Sequence, residues 1–216
     1  NFNLFYLSID TNRYCYFNCN LLMKFRIFKF ESVTSTNDVA INLIKEKHKE
    51  IGCIYAKKQT EGRGTYGKNW VSDEGNLFGT IFFPLKDDYP PFNEFSIINP
   101  VIISSVIENF CKKKNITFKW PNDVFVNQKK ICGILQELIT VNSRKFLIIG
   151  IGLNIISNPK INTKYQTTNI LFETKKKPSI KEMIRLIISS YKEFFLNLNL
   201  YNYKDFKKRA DLMALN

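Results

Sequence analysis

Histidine is almost missing from this 216-residue chain: the single one, His48, stands in a Lys/Glu-rich run. Zinc and most transition-metal sites draw on His and Cys together. With one His and five scattered cysteines (Cys15, Cys19, Cys53, Cys111, Cys132), no such centre is expected. The odd count and irregular spacing also argue against a disulfide framework and for a reducing compartment. No run reaches the roughly 18 to 20 apolar residues needed to span a bilayer, so the chain reads as soluble, without a membrane segment. Acidic residues are the minority, 19 Asp and Glu against 32 Lys and Arg, for a formal net charge of +13. Such a surplus attracts phosphates, whether on nucleic acid or nucleotide, or an acidic protein. The positive residues are mostly Lys and spread along the chain, which resembles compositional drift as much as a selected basic surface.

What is present divides into an unusual start and a patterned remainder. Residues 1–22 are aromatic, Asn-rich and nearly uncharged, without the basic start and apolar core of a secretory signal. They are expected to be an N-terminal extension, disordered or part of a leader, outside a catalytic domain at 23–216. Residues 23–30 alternate as a strand. Ser35-Thr36-Asn37-Asp38 reads as a capped helix start, followed by an apolar stripe at Val39, Ala40, Leu43 and Ile44. Strands are expected at 53–58, 76–83, 117–120, 124–126, 131–140 and 146–151, with Asn127-Gln128 as a turn. Phe95, Ile98, Ile102 and Val106 predict a helix with Pro100 near its start. Ser179 and Glu182 form a capping box for a helix whose core face runs from Ile180 to Leu198. A last helix is expected at 203–212. Clustered strands with helices early and late predict an α+β fold, a mixed β-sheet backed by helices.

Four segments carry possible chemistry. Residues 59–70 contain Gly62, Arg63, Gly64, Gly67, Lys68 and Trp70. Glycines let backbone approach a ligand and aim N–H groups at it, and the cations and indole suit an anionic, partly apolar molecule. A hairpin loop with solvated charges has the same composition. Lys119-Trp-Pro-Asn-Asp123 places Asn122 and Asp123 at a strand corner, able to meet ribose, base or Mg²⁺, or to form an ordinary turn. In Lys130-Ile-Cys-Gly133 a cation stands beside bare backbone. Lys129, by contrast, reads as an exposed hairpin lysine paired with nothing. Gly150-Ile-Gly152-Leu-Asn154 ends an apolar strand, where glycines admit a ring and Asn154 can read one, or where the strand simply bends.

In this order the segments resemble the biotin protein ligases across roughly residues 30–155, together with Ser35-Thr36-Asn37 as the family's S-T-N. The resemblance implies a fold like the class II aminoacyl-tRNA synthetases. It implies ATP with Mg²⁺ as cofactors and biotin as substrate, joined as biotinyl-5′-AMP before transfer to a lysine. The expected partner is a biotin carboxyl carrier domain of a biotin-dependent carboxylase, acetyl-CoA carboxylase being the commonest client. Ser35, Thr36, Asn37, Gln59, Gly62, Arg63, Gly64, Trp70, Lys130 and Gly133 would bind biotin. Arg63, Lys68, Trp70, Asn122, Asp123, Lys130, Gly152 and Asn154 would hold the adenylate, with Asp123 towards the metal. Arg63 and Lys130 are the expected catalytic pair. Cys132, beside them, reads as a small core residue rather than a nucleophile.

The chain departs from the family in the glycine loop. Many bacterial members carry two arginines after the second glycine, where Thr65 and Tyr66 stand here. That predicts weaker retention of biotinyl-AMP. No helix-turn-helix precedes the core, so an operator-binding role and a DNA-binding domain are not expected. The family's small C-terminal β-barrel domain is also expected to be absent or truncated. The protein would act as monomer or homodimer, in the cytosol or an organelle such as a plastid or mitochondrion. Two rivals stand beside this reading: a lipoate or octanoate ligase or transferase of the same fold, and a basic nucleic-acid-binding module.

Overall fold

The strands come first, because their order decides where the loops meet. A computed structural model describes residues 23–112, 114–159 and 165–214; residues 1–22, with Cys15 and Cys19, lie outside them. The elements are β1 (Arg26–Val33), α1 (Thr36–Lys45), β2 (Gly52–Gln59), β3 (Leu77–Pro84), α2 (Phe95–Glu108), β4 (Ile116–Lys119), β5 (Asp123–Val126), β6 (Lys129–Val141), β7 (Arg144–Leu153), α3 (Ile170–Thr174), α4 (Ile180–Leu196) and α5 (Tyr203–Met213). The seven strands form one mixed sheet in the order β1-β2-β3-β7-β6-β5-β4. β1 and β2 are parallel, joined through α1, and the remaining pairs are antiparallel. The α+β expectation therefore holds.

β1 starts three residues later than alternation alone suggests. Its ladder begins where Arg26 meets Gly52 on β2, and Met23 is buried in the core instead. The tight turns follow their sequence signals. Asn127 and Gln128 take φ values of 49° and 63°, and Asn142 and Ser143 take 48° and 62°. Two successive left-handed residues match the right-handed twist of the strands they join.

Side chains alternate between two faces. On one, α2, α4 and α5 cover a large core that includes Phe83, Phe95, Ile149, Ile184 and Tyr191. α2 is apolar almost all round and buried accordingly, with Pro100 in its second turn. Ser179 caps α4 as expected, accepting from the Glu182 amide. Among the described residues the opposite face has only the helix α1 across one half, packed through Ala40 and Ile44 on Ile54, Phe82, Phe146 and Ile148. The uncovered half of this face, beside the N-terminus of α1, is where the cavity lies.

Candidate active site

The cavity floor is bare backbone. Gly133 on β6 pairs with Gly152 on β7, and Gly150 stands one inward-facing position further along. Their missing side chains are required. A Cβ on Gly133 would fall 2.6 Å from Trp70, one on Gly152 2.3 Å from it, and one on Gly150 2.5 Å from Asn37 Oδ1. Above the floor lies a cavity of ≈ 230 Å³.

Lys130 reaches this face because of a bulge. Val124 on β5 pairs with Cys132, but the next residue, Phe125, pairs with Lys130, leaving Ile131 as the extra residue in β6. In an unbroken pleat, with Ile131 paired in turn, Lys130 would share the face of Cys132, under the helices. The extra residue turns Lys130 towards Gly133, the re-aiming that bulges commonly produce. The segment returning from β7 then fixes its backbone: Lys130 N–H donates to Gln166 and its carbonyl accepts from Thr168. The Lys130 ammonium forms a 2.8 Å ion pair with Asp123 and lies 5.4 Å from the centre of the Trp70 ring.

The glycine segment is a small hairpin. Arg63 pairs with Asn69, Gly64 N–H donates to Lys68, and Trp70 N–H donates to Gly62. Two anchors hold it to the sheet. On one arm Trp70 rests on Gly133 and Gly152, its indole N–H buried without a hydrogen-bond partner. On the other, Arg63 makes a bidentate contact of 2.8 and 2.9 Å with Glu137 on β6 and a 2.7 Å contact with Asp38 on α1. Glu137 foremost, then Asp38, raises the Arg63 pKa further against the opposing effect of burial.

A polar chain lines the wall. Thr36 donates from N–H and hydroxyl to the Gln59 carbonyl oxygen, at 2.8 and 3.0 Å. Gln59 donates to Ser72, and the Thr80 hydroxyl lies 2.9 Å from Thr36 Oγ1 and 2.6 Å from Asn37 Oδ1. Asn37 donates to Glu137 at 2.6 Å. Ser35 occupies the N-cap of α1, but the expected side-chain cap bond is not made; it is buried and lines the cavity instead.

Of the residues singled out from sequence, Ser35, Thr36, Asn37, Gln59, Arg63, Gly64, Lys68, Trp70, Asn122, Asp123, Lys130, Gly133, Gly152 and Asn154 all line this cavity. Gly62 sits just behind it, packed so that a Cβ would meet the Trp70 carbonyl at 2.4 Å. Arg63 and Lys130 thus share one cavity. Asn122 contacts the hairpin through Thr65, at 3.4 Å. Asn154 spends its amide N–H on the Thr168 carbonyl, securing the returning segment. Lys129 is not solitary, since its ammonium lies 5.4 Å from the Phe172 ring centre. Cys132 is fully buried, and burial pushes its thiol far above the ordinary range, so it offers no thiolate. Among the described residues no three His, Cys, Asp or Glu side chains gather to hold a metal, and Asp123 is already paired with Lys130. These residues do not form a metal cage.

Sequence reasoning missed Glu137, Asp38, Thr80, Thr167 and Tyr165. The last two line the cavity from the returning segment, and Tyr165 accepts a hydrogen bond from Lys119 of the Lys-Trp-Pro-Asn-Asp corner. Glu137 carried one usable signal: it follows Gly133 by an even spacing on the same strand, so it shares the cavity face.

The mixed sheet thus carries one cavity with a glycine floor and a polar wall, at whose rim Arg63 and Lys130 are each paired with carboxylates. Residues 29–154 match the biotin/lipoate A/B protein ligase family, and the chain belongs to it. It is 33% identical over 130 residues to the bifunctional ligase/repressor BirA of Bacillus subtilis, covering 59% of this chain and 39% of that protein. It is 30% identical over 162 residues to biotin–protein ligase 2 of Arabidopsis thaliana, covering 72% of this chain and 45% of that one. The chain therefore spans about two fifths of the length of these curated relatives. Among solved structures, the biotin protein ligase of Leishmania major in complex with biotinyl-5-AMP superposes with a TM-score of 0.75 at 26% identity, over 88% of this chain and 81% of that one. The Aquifex aeolicus enzyme in complex with biotin and ATP gives 0.73 at 25%, over 88% and 78%.

Proposed function

We propose that this chain activates biotin with ATP and transfers it to a lysine of a biotin carboxyl carrier domain. The observation that carries the reading is the cavity itself. A preformed neutral hydrogen-bonding wall at Thr36 and Gln59 faces a glycine floor that leads to Lys130. Thr36 and Gln59 orient one another, so a ureido head group meets donors and acceptors already set in place. Such preorganisation lowers the ordering cost of binding. Losing one buried hydrogen-bond partner typically costs about 1 to 3 kcal/mol, enough to select a small head group.

In the first half-reaction a carboxylate oxygen of biotin attacks the α-phosphorus of ATP. The bond to the bridging oxygen breaks, and pyrophosphate leaves with its electron pair. Lys130, fixed by backbone bonds on both sides, meets the negative charge that builds on the phosphoryl oxygens. Asn122, Asp123, Gly152 and Asn154 flank the adenylate, and Lys68 and Trp70 close over it. Arg63 and Gly64 belong to the hairpin that shields the mixed anhydride from water. Magnesium, as the counterion of ATP, would offset the charge of its phosphates, and Asp123 is the cavity carboxylate that would face it. In the second half-reaction a neutral lysine amine attacks the acyl carbon, AMP leaves, and the amine proton passes to solvent.

The names of the relatives favour biotin over lipoate, although the family embraces both. Acetyl-CoA carboxylase is the client we expect, in the cytosol or in an organelle that houses it. Among the described residues no helix is long and apolar enough to cross a membrane. ATP–pyrophosphate exchange measured with biotin and with lipoate in parallel tests the proposal. Biotin-dependent exchange is expected, and exchange with lipoate alone overturns it.

A further inference from the structure

We infer that Glu137, assisted by Asp38, is a positioning residue that holds the glycine hairpin closed through Arg63. The inference rests on the proposed ligase reading for its kinetic consequences, but not for its geometry. Arg63 presents both terminal nitrogens to the two oxygens of Glu137 and shares one with Asp38. A planar guanidinium fork matched to a carboxylate fixes orientation as well as attraction, which a lysine would not reproduce. Oε2 of Glu137, which accepts from Arg63, also accepts from the amide of Asn37, itself 2% exposed and bonded to Thr80 in the wall. The carboxylate is thus braced by the buried network before Arg63 reaches it.

The charges support a clamp over a phosphate-facing cation. One guanidinium stands between two carboxylates, so the triad carries a formal charge of −1 and offers an incoming anion no net attraction. Lys130, with the single Asp123 beside it, is the cation facing the glycine floor. The positions agree. β6 meets the hairpin twice, at Gly133 beneath Trp70 and at Glu137 beneath Arg63. Four residues separate these points, about 13 Å along an extended strand. The two contacts pin both arms of the hairpin, near its base, to one rigid strand, and Asp38 ties the same guanidinium to α1 beside Thr36 and Asn37. Closing the hairpin and ordering the biotin wall are therefore one event.

Glu137→Gln keeps the shape, the bond with Asn37 and most of the packing, while removing one charge from the clamp. Arg63→Lys keeps the cation and removes the fork. If Arg63 is a clamp, both variants loosen the hairpin. Trypsin cuts after arginine and lysine alike, so the hairpin keeps its cleavage points, at Arg63 or its replacement and at Lys68, in every variant. Cleavage there should become about tenfold faster in ligand-free protein, the effect of roughly one charge-assisted hydrogen bond. KM for biotin should rise by a similar factor, with kcat less affected. Arg63→Lys combined with Glu137→Gln should be no worse than the more impaired single variant, because both break one contact. If Arg63 instead serves the phosphate directly, Glu137→Gln frees its charge: exchange then rises or holds, trypsin cleavage is unchanged, and the inference is overturned. Proteolysis of the ligand-free protein needs no turnover. A chain that fails biotin exchange yet shows the altered cleavage loses the ligase reading and keeps the clamp.

Discussion

Replacing Gly152 by Ala separates the purpose of the glycine floor from the stability of the sheet, because the two should respond with opposite signs. A Cβ there would stand 2.3 Å from Trp70 Cε2 and 2.6 Å from Cζ2 and Nε1. Non-bonded carbons in contact keep about 3.5 to 4.0 Å, so the ring must retreat by more than about 1 Å. The strand itself accepts the methyl group, since Gly152 has no positive φ and sits in regular register with Phe78 and Gly133. Alanine in such a position is favoured over glycine by roughly 0.5 to 1 kcal/mol. In a chain of this size each kcal/mol moves Tm by about 2 to 4 °C, so Tm should hold or rise by about 1 to 4 °C. The ring can yield because it belongs to a hairpin and leaves behind an unpaired indole N–H rather than a hydrogen bond. Displacing an active-site enclosure by about 1 Å can cost on the order of 100-fold, so biotin-dependent exchange should fall by about 10- to 100-fold. Differential scanning fluorimetry, exchange kinetics and the emission of Trp70 in a Trp120→Phe background measure the three effects, with a red shift expected for Trp70. Wild-type exchange would refute the floor. A Tm lower by more than about 4 °C would show that the methyl damages the sheet and not the hairpin.

Further expectations address the rim, the loop and the core. Lys130→Ala should lower exchange by about 100-fold or more while its melt stays within a few degrees of wild type; undiminished turnover removes Lys130 from the chemistry. Because Tyr66 is 88% exposed and only Thr65 of the two substituted loop positions lines the cavity, biotinyl-AMP should escape and label lysines of bystander protein. Unlabelled bystanders, under conditions that biotinylate the carrier, contradict this. Burial pushes the Cys53 thiol up to about 12, whereas an exposed cysteine ionises near about 8.5. With the folded value raised, its contribution to stability is complete below the lower figure and drains away as pH climbs towards the upper one. Urea midpoints should fall between pH values of about 8 and 10.5, and less so in Cys53→Ala; equal slopes would refute the assignment.

The sequence made the local rules visible and concealed the distant ones. The Ser179 cap, the Asn127-Gln128 turn and the strand cores follow from nearest-neighbour chemistry, and the structure reproduces them. Nearly every site residue singled out converges on one cavity because glycines and cations sit at strand ends, where a sheet exposes backbone. Glu137 and Asp38 stayed hidden because each is an ordinary charge in its own segment and gains meaning only from Arg63, 74 and 25 residues away. The returning segment and the five-residue α3 have too little periodicity to register. Ser35 stands at the N-cap of α1 but makes no side-chain cap bond, because its buried side chain lines the cavity, a demand that helix chemistry alone does not reveal.

The extra residue at Ile131 has a consequence for how such a site is lost. Lys130 and Gly133 are three apart, an odd number that an unbroken pleat would send to opposite sides of the sheet. Only the local miscount in the β5–β6 ladder brings them together. Were Ile131 to gain a partner of its own in that ladder, every polar and charged group of the cavity would remain in the gene, yet the ammonium would swing into the apolar side of the sheet. A homologous chain carrying all the signature letters but one residue longer in β5, opposite this point, would be an imitation, to be recognised by counting and not by spelling.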